Sequence, residues 1–241
     1  MTTTRLGMIV PSLNTIAEDD LRRFCPADVG YHVHRIRLRK DAGRVTVEAL
    51  LHAYLEATEE AGLLLDLNPS AIAFNCTGAS VANGPEGDRH LAQRMTEALG
   101  VPATNTMLAI KQALASLSAR KVLHVCPFTD VFSRIERESL EHAGIGVART
   151  VSLDFTDARK AALMKPQAIA EYVRGQVDAT VGSVLLSCAN VRAFEAAAAL
   201  EAEIDMPVVT SNQAVLWALL HEAGWQGRIE GAGRLFDSLV G

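Results

Sequence analysis

The stretch Ala71-Ile72-Ala73-Phe74-Asn75-Cys76-Thr77-Gly78-Ala79-Ser80 ends an apolar run of strand length on an asparagine and then a cysteine. Four consecutive apolar residues suit a strand buried on both faces, as in a parallel sheet. The small residues after Cys76 read as a loop whose backbone N–H groups lie open beside the thiol. Nearly the same arrangement returns at Val184-Leu185-Leu186-Ser187-Cys188-Ala189-Asn190. A single cysteine after a strand is more often a small buried hydrophobe than a nucleophile. Two at matching points of a repeat point to a working pair.

On either side of these runs, strand-length apolar segments alternate with helix-period stretches. Strands are predicted at 6–10, 31–38, 71–75 and 103–106, with helices at 15–24, 47–67, 87–99 and 107–118. The 31–38 segment alternates sides and suits a place nearer the sheet edge. The pattern then restarts, with strands at 121–126, 147–153, 183–187 and 208–210 and helices at 129–142, 166–177, 193–204 and 213–223. Val101-Pro102-Ala103-Thr104-Asn105-Thr106 matches Met206-Pro207-Val208-Val209-Thr210-Ser211, and Asn75-Cys76-Thr77 matches Ser187-Cys188-Ala189. Repeated βα units of this kind predict an α/β fold of two pseudosymmetric, Rossmann-like halves with mostly parallel sheets. The expected division is 1–115 and 116–219, with 220–241 packing back on the first half.

Bulk properties narrow the function. The chain has 241 residues and a formal net charge of −5, which disfavours a general nucleic-acid surface. The short basic cluster Arg35, Arg37, Arg39, Lys40 and Arg44 reads as a solvated face or a local anion contact. No apolar run approaches the roughly 20 residues of a membrane helix. The N-terminus lacks the apolar core of a signal peptide, so a cytoplasmic protein is expected. The four cysteines, Cys25, Cys76, Cys126 and Cys188, form no CxxC pair, so neither a zinc site nor structural disulfides are expected. The seven histidines form no motif, and His124 reads as a satisfied core residue. HExxH, GxSxG and P-loop patterns are missing, and Gly231-Ala232-Gly233 is too short for a dinucleotide fingerprint. No cofactor is expected.

Parallel strands place ligands just past their carboxyl ends. If the halves face each other, the loops at 11–14, 76–80, 127–130 and 188–190 converge on one cleft. Cys76 and Cys188 are then the candidate catalytic pair, with thiol pKa values lowered by nearby N–H groups. Asn14 serves equally as a helix N-cap or as a neutral amide donor to a carboxylate. Ser80 and Thr129 are candidate second donors. Asn105 and Asn212 read as turn residues or caps, Cys126 as core and Cys25 as structural.

These residues carry a resemblance. The segments Gly7-Met8-Ile9-Val10-Pro11-Ser12-Leu13-Asn14-Thr15, 75–80, Leu186-Ser187-Cys188-Ala189, Pro207-Val208-Val209-Thr210 and 231–233 resemble the Asp/Glu racemase superfamily. The branch is that of maleate cis-trans isomerase and arylmalonate decarboxylase, and the match spans nearly the whole chain. The resemblance implies cofactor-independent chemistry on a small carboxylate, with a cysteine on each side, and commonly a homo-oligomer. It also implies that Asn14 and the backbone N–H groups of Thr77, Gly78, Ala189 and Asn190 hold carboxylates. Two positions depart from the maleate isomerase pattern: Phe128 stands where a tyrosine is expected, and Ala158 where an asparagine is. Arylmalonate decarboxylase keeps the second cysteine and has glycine at the first, so Cys76 argues against a simple decarboxylase. The leading reading is a cis-trans isomerase in which Cys76 adds to a double bond and Cys188 handles the proton. A two-cysteine racemase or epimerase, a decarboxylase-like lyase and a non-catalytic carboxylate-binding protein are the alternatives.

Overall fold

Every pairing between strands is parallel, and the two sheets repeat one strand order. The computed structural model describes residues 4–39, 41 and 44–240; Lys40 of the basic cluster lies outside them. The first sheet contains β1 (Thr4–Pro11), β2 (Val29–Ile36), β3 (Ala71–Phe74) and β4 (Ala103–Asn105), in the order β2-β1-β3-β4. The second contains β5 (Val122–Cys126), β6 (Val147–Ser152), β7 (Ser183–Leu186) and β8 (Val208–Thr210), in the order β6-β5-β7-β8. The chain is thus α/β, and the alternating strand, β2, lies at a sheet edge. All residues of β3 and β7 are buried, as expected for strands covered on both faces.

Register decides where the cysteines fall. Ile9 pairs with Phe74, and Val125 with Leu186, so the carboxyl ends of β1 and β3, and of β5 and β7, are level. Asn75 and Ser187, each one residue before a cysteine, donate backbone N–H bonds to Ile9 O and Val125 O at 2.8 and 2.9 Å.

The helices are α1 (Ala17–Phe24), α2 (Val47–Ala61), α3 (Thr77–Ser80), α4 (Gly87–Leu99), α5 (Thr106–Ser116), α6 (Asp130–His142), α7 (Ala158–Ala162), α8 (Pro166–Arg174), α9 (Phe194–Ile204) and α10 (Ser211–Glu222). Several expected boundaries shift; β2 runs Val29–Ile36 rather than 31–38, and α10 starts at Ser211 rather than 213. The first helix starts at Ala17 rather than Thr15, because the Asn14 side chain accepts from the N–H groups of Ile16 and Ala17. The expected 47–67 helix is α2 followed by a tighter 3-10 turn, Gly62–Leu67. That change begins at a poor helix former, and Asn68, left-handed at φ 50°, closes it before Pro69. The expected 166–177 helix stops at Arg174, before Gly175. The short helices α3 and α7 were not anticipated, being too brief to show a period.

Each half has an apolar cluster of its own, and a third lies between the halves. In the shared cluster α5 and α10 meet. Every residue of α10 from Ser211 to Leu220 is buried, which explains its lack of a polar face. The C-terminal segment joins the same cluster and touches both halves. Trp225 Nε1 donates to Asp28 in the first, while the Arg234 backbone N–H donates to Glu201 Oε2 in the second at 2.8 Å. Phe236 stacks near Phe194, which stacks on Phe24. Gly233 admits no side chain here: its φ is +87°, and a Cβ would come within 2.8 Å of both Gln213 Nε2 and Glu201 Oε2.

Candidate active site

The carboxyl ends of both sheets open into one cavity of about 230 Å³. Pro11, Leu13 and Asn14 reach it from the loop after β1, and Cys76, Thr77 and Gly78 from the loop after β3. Phe128 and Thr129 follow β5, and Cys188, Ala189 and Asn190 follow β7. All four loops therefore meet. Ser80 does not line the cavity, contrary to expectation; its hydroxyl donates to Cys76 O at 2.8 Å and is fully buried. Thr129 precedes α6 as its cap residue, but its side chain makes no capping bond.

The two cysteine loops are stitched together by the turn between β8 and α10. Cys188 donates its N–H to Ser211 Oγ at 2.9 Å, and Ser211 Oγ lies 3.1 Å from Thr77 Oγ1. Asn212 accepts from Asn75 Nδ2 at 2.9 Å and donates to Ala189 O at 3.1 Å and Asp20 Oδ2 at 2.6 Å. Asn212 is therefore not the helix cap; Thr210 and Gln213 form the capping box of α10. Asn105, by contrast, does cap α5. Sequence reasoning missed Ser211, although it ends the 101–106/206–211 repeat.

Asn14 spans the cleft. Its Nδ2 donates to Ala189 O at 2.9 Å, and its Oδ1 is taken up by the start of α1. The capping role and a position in the cavity wall coexist, and one amide N–H has no acceptor among the described residues. Asn190 Oδ1 accepts from Thr15 N at 2.9 Å, while its Nδ2 donates to Ala158 O at 3.1 Å. Phe128 and Ala158 both line the cavity. They sit in an apolar wall with Leu13, Phe132, Phe155 and Val45. Phe128 and Phe132 pack edge to face at 6.1 Å.

Both cleft thiols are nearly buried, Cys76 at 9% and Cys188 at 8% exposure. Burial pushes the Cys76 thiol up to about 12; the Ala79 N–H pulls the other way and the Glu136 charge adds to the rise. Burial also raises Cys188, opposed by the Asn190 N–H and reinforced by Glu136 and Cys76. The expected lowering by N–H groups is therefore overturned. The N–H groups are present, but desolvation of the thiolate outweighs them. Burial thus favours the protonated thiol at both positions.

Glu136, on α6, is the main residue that the sequence did not reveal. It lines the cavity at 2% exposure. His124 Nε2 lies 3.0 Å from its Oε2, and Ser187 Oγ donates to the same oxygen. His124 is a core histidine satisfied at one nitrogen only, since Nδ1 has no partner among the described residues. Arg44, from the basic cluster, also borders the cavity, while Arg35 and Arg39 are bonded to Glu18 and Glu56. Cys126 is buried in β5, and Cys25 donates to Val29 O at 3.7 Å. Among the described residues no group of three His, Cys, Asp or Glu side chains gathers to hold a metal ion, and no helix is long and apolar enough to cross a membrane.

A family model described as arylmalonate decarboxylase matches residues 41–236. The chain belongs to the arylmalonate decarboxylase family. Within that relationship it is 24% identical to a maleate isomerase from Alcaligenes faecalis, over 99% of this chain and 98% of the other. It is 25% identical to the arylmalonate decarboxylase of Bordetella bronchiseptica, over 98% and 97% of the two chains. Among solved structures it resembles a Nocardia farcinica maleate cis-trans isomerase cysteine-to-serine mutant, which carries a covalently bound succinylcysteine intermediate. The TM-score is 0.87, at 21% identity, with 98% of each chain covered.

Proposed function

We propose that the protein is a cofactor-independent cis-trans isomerase of a small unsaturated carboxylate, with Cys76 as nucleophile and Cys188 as proton donor and acceptor. The observation that carries this reading is the opening of both cysteine loops into one cavity. In the reaction, the Cys76 thiolate forms an S–C bond to the alkene, and the π electrons move onto the carbon next to the far carboxylate. The resulting enediolate takes a proton from Cys188, giving a saturated adduct of the kind named in the Nocardia structure. Rotation about the new single bond follows. The Cys188 thiolate then removes the proton, the double bond re-forms and Cys76 leaves.

Asn14 and the backbone N–H groups of Thr77, Gly78, Ala189 and Asn190 are the proposed carboxylate donors. Thr77 and Gly78 open a helical turn, so neither N–H has a partner within it. Donors aimed at a developing enediolate are often the largest single contribution to such catalysis. The Asn190 N–H already donates to Cys188 Sγ at 3.3 Å, and it would have to be shared with substrate.

Phe128 and Ala158 favour a second reading. Without polar groups on that wall, the cavity also suits a monocarboxylate with an apolar substituent, racemised or epimerised by the two sulfurs from opposite faces. NMR in D2O separates the two. Conversion of maleate to fumarate supports the first, while α-deuterium exchange in a chiral acid without alkene chemistry supports the second. No change in either class of acid, with Cys76 and Cys188 equally inert to iodoacetamide, would leave only a binding protein.

A further inference from the structure

We propose that Glu136 is the general base that takes the proton from the cleft thiols, held for that task by His124 and Ser187. The inference deepens the isomerase reading and rests on it only for the use of the thiols. Glu136 is one of the most deeply buried acids in the protein, yet it borders the cavity that the two cysteines share. An isolated carboxylate is costly in such a place unless hydrogen bonds compensate. Both of its bonds, from His124 Nε2 and Ser187 Oγ, go to Oε2. Oε1 accepts none. One oxygen is thus fixed from behind, and the other is left to the cavity.

The histidine suits a holding role. A protonated ring would bury an N–H at Nδ1, which has no acceptor among the described residues, so the neutral ring with hydrogen on Nε2 fits the site. It donates to the carboxylate and keeps it in place without neutralising it. Ser187 directly precedes Cys188, so the second bond ties the base to the backbone of one thiol loop.

Charge gives the reason for a base here. With Glu136 ionised, removing a thiol proton to solvent leaves two anions in one small cavity. Transfer within the cavity does not. The S–H bond breaks, the proton bonds to Glu136 Oε1, and the electron pair stays on sulfur as thiolate. Net charge is unchanged, and the carboxylate that opposed the thiolate is gone. The ionisable groups around Glu136 are His124 and Cys126 from β5, Cys76 and Cys188 from the loops, and Arg44 across the cavity. β6, packed on α6, carries Arg149, which is bonded to Asp178 and the Gln176 carbonyl.

The test is the pH profile of iodoacetamide alkylation, with Cys76 and Cys188 followed separately by peptide mass. It needs no substrate. In the wild type the rate should hold a plateau through neutral pH and rise again where free thiolate forms. Glu136→Gln should remove the plateau, slowing neutral alkylation about a hundredfold, in the range general-base assistance supplies. The same change should move the alkaline rise to lower pH, because the opposing charge has gone. A purely structural role predicts no plateau to lose, whereas the shift of the alkaline rise follows from the charge alone. A single alkaline rise in the wild type, or a plateau that survives in Glu136→Gln, overturns the proposal. If the variant does not fold, the wild type still decides, since a general-base plateau carries a normal solvent deuterium isotope effect and preformed thiolate does not. A plateau in a protein that leaves maleate unchanged would sink the isomerase reading and keep this one.

Discussion

The two cysteine loops occupy equivalent places in the repeat but are built differently. Cys76 has an ordinary extended φ of −147° and leads straight into the helical turn α3. Cys188 has φ +97°, a conformation that L-residues rarely adopt, and no helix begins until Phe194. Such a backbone persists only when its surroundings over-determine it. Here Ser211 takes its N–H, while Asn14 and Asn212 both donate to the next carbonyl, Ala189 O. The repeat copied strand and position. The turn before α10, together with Asn14 from the other half, then fixed the second thiol loop and left the first at the mouth of a helical turn.

That asymmetry assigns unequal roles, and the largest expected effect tests it. Cys76→Ala and Cys188→Ala should each lower turnover on the order of 10⁴-fold or more, as for other members of a concerted catalytic set. The difference lies in what accumulates. With Cys76 present and Cys188 changed to Ser, intact-protein mass should reveal an adduct of substrate on Cys76; the reverse variant should form none. Equal behaviour of the two variants, with adducts on neither, would favour the symmetrical racemase.

A second contrast concerns the groups beneath each loop. Asn75, before Cys76, is held by Thr106 and Asn212, both neutral. Ala189, after Cys188, is held through Asn212, which also donates to the buried carboxyl of Asp20. Burial raises Asp20 to about 7, against a hydrogen bond from Asn212 that pulls it down. The unfolded value is about 3.9. Below that pH both states are protonated, and the contribution to stability is complete. As pH rises to 7 the unfolded chain ionises first, so stability falls by roughly 1.4 kcal/mol per unit, or about 4 kcal/mol in all, then levels off. Asp20→Asn should remove that slope. Urea midpoints of wild type and variant between pH 4 and 8 give the difference, and a difference that grows in the opposite direction refutes it.

Ser211 serves both loops at once, so its loss should be felt in both. Ser211→Ala leaves the Cys188 N–H buried without an acceptor and removes the partner of Thr77 Oγ1. The cost should be about 1–3 kcal/mol in denaturant unfolding. Turnover should fall more than substrate affinity, because the strained loop loses its anchor. An unchanged unfolding midpoint would mean that water replaces the hydroxyl.

Much of this was legible beforehand, for identifiable reasons. The buried runs at 71–74 and 183–186, each followed by a cysteine, mark strands with loops at one sheet end. They led to the two-sheet architecture and to the four loops. The thiol pKa direction was misread, because a sequence displays neighbouring N–H groups but not the depth of burial. Ser80 was misplaced for a related reason: α3 turns its hydroxyl back to the Cys76 carbonyl, and a four-residue helix leaves no period to detect. Glu136 was hidden in an acidic helix, Asp130–His142, where most neighbouring charges are surface residues. Only the meeting of α6 with His124 and Ser187 makes it unlike them.

The finest distinction between the loops is the backbone angle itself. Cys76→Gly and Cys188→Gly delete the same side chain, from sites of nearly equal exposure, and add the same freedom to the unfolded chain. Each also removes a sulfur that faces a backbone N–H, from Ala79 or Asn190. What remains is the conformation. Glycine adopts φ +97° without penalty, so it relieves strain at the second site and none at the first. Cys188→Gly should therefore cost about 1–2 kcal/mol less than Cys76→Gly, within the range for a single strained residue. Paired urea titrations read this directly. Equal costs would mean that the second loop is not strained at all, and that the bonds from Ser211, Asn14 and Asn212 hold the cysteine where its backbone would already rest.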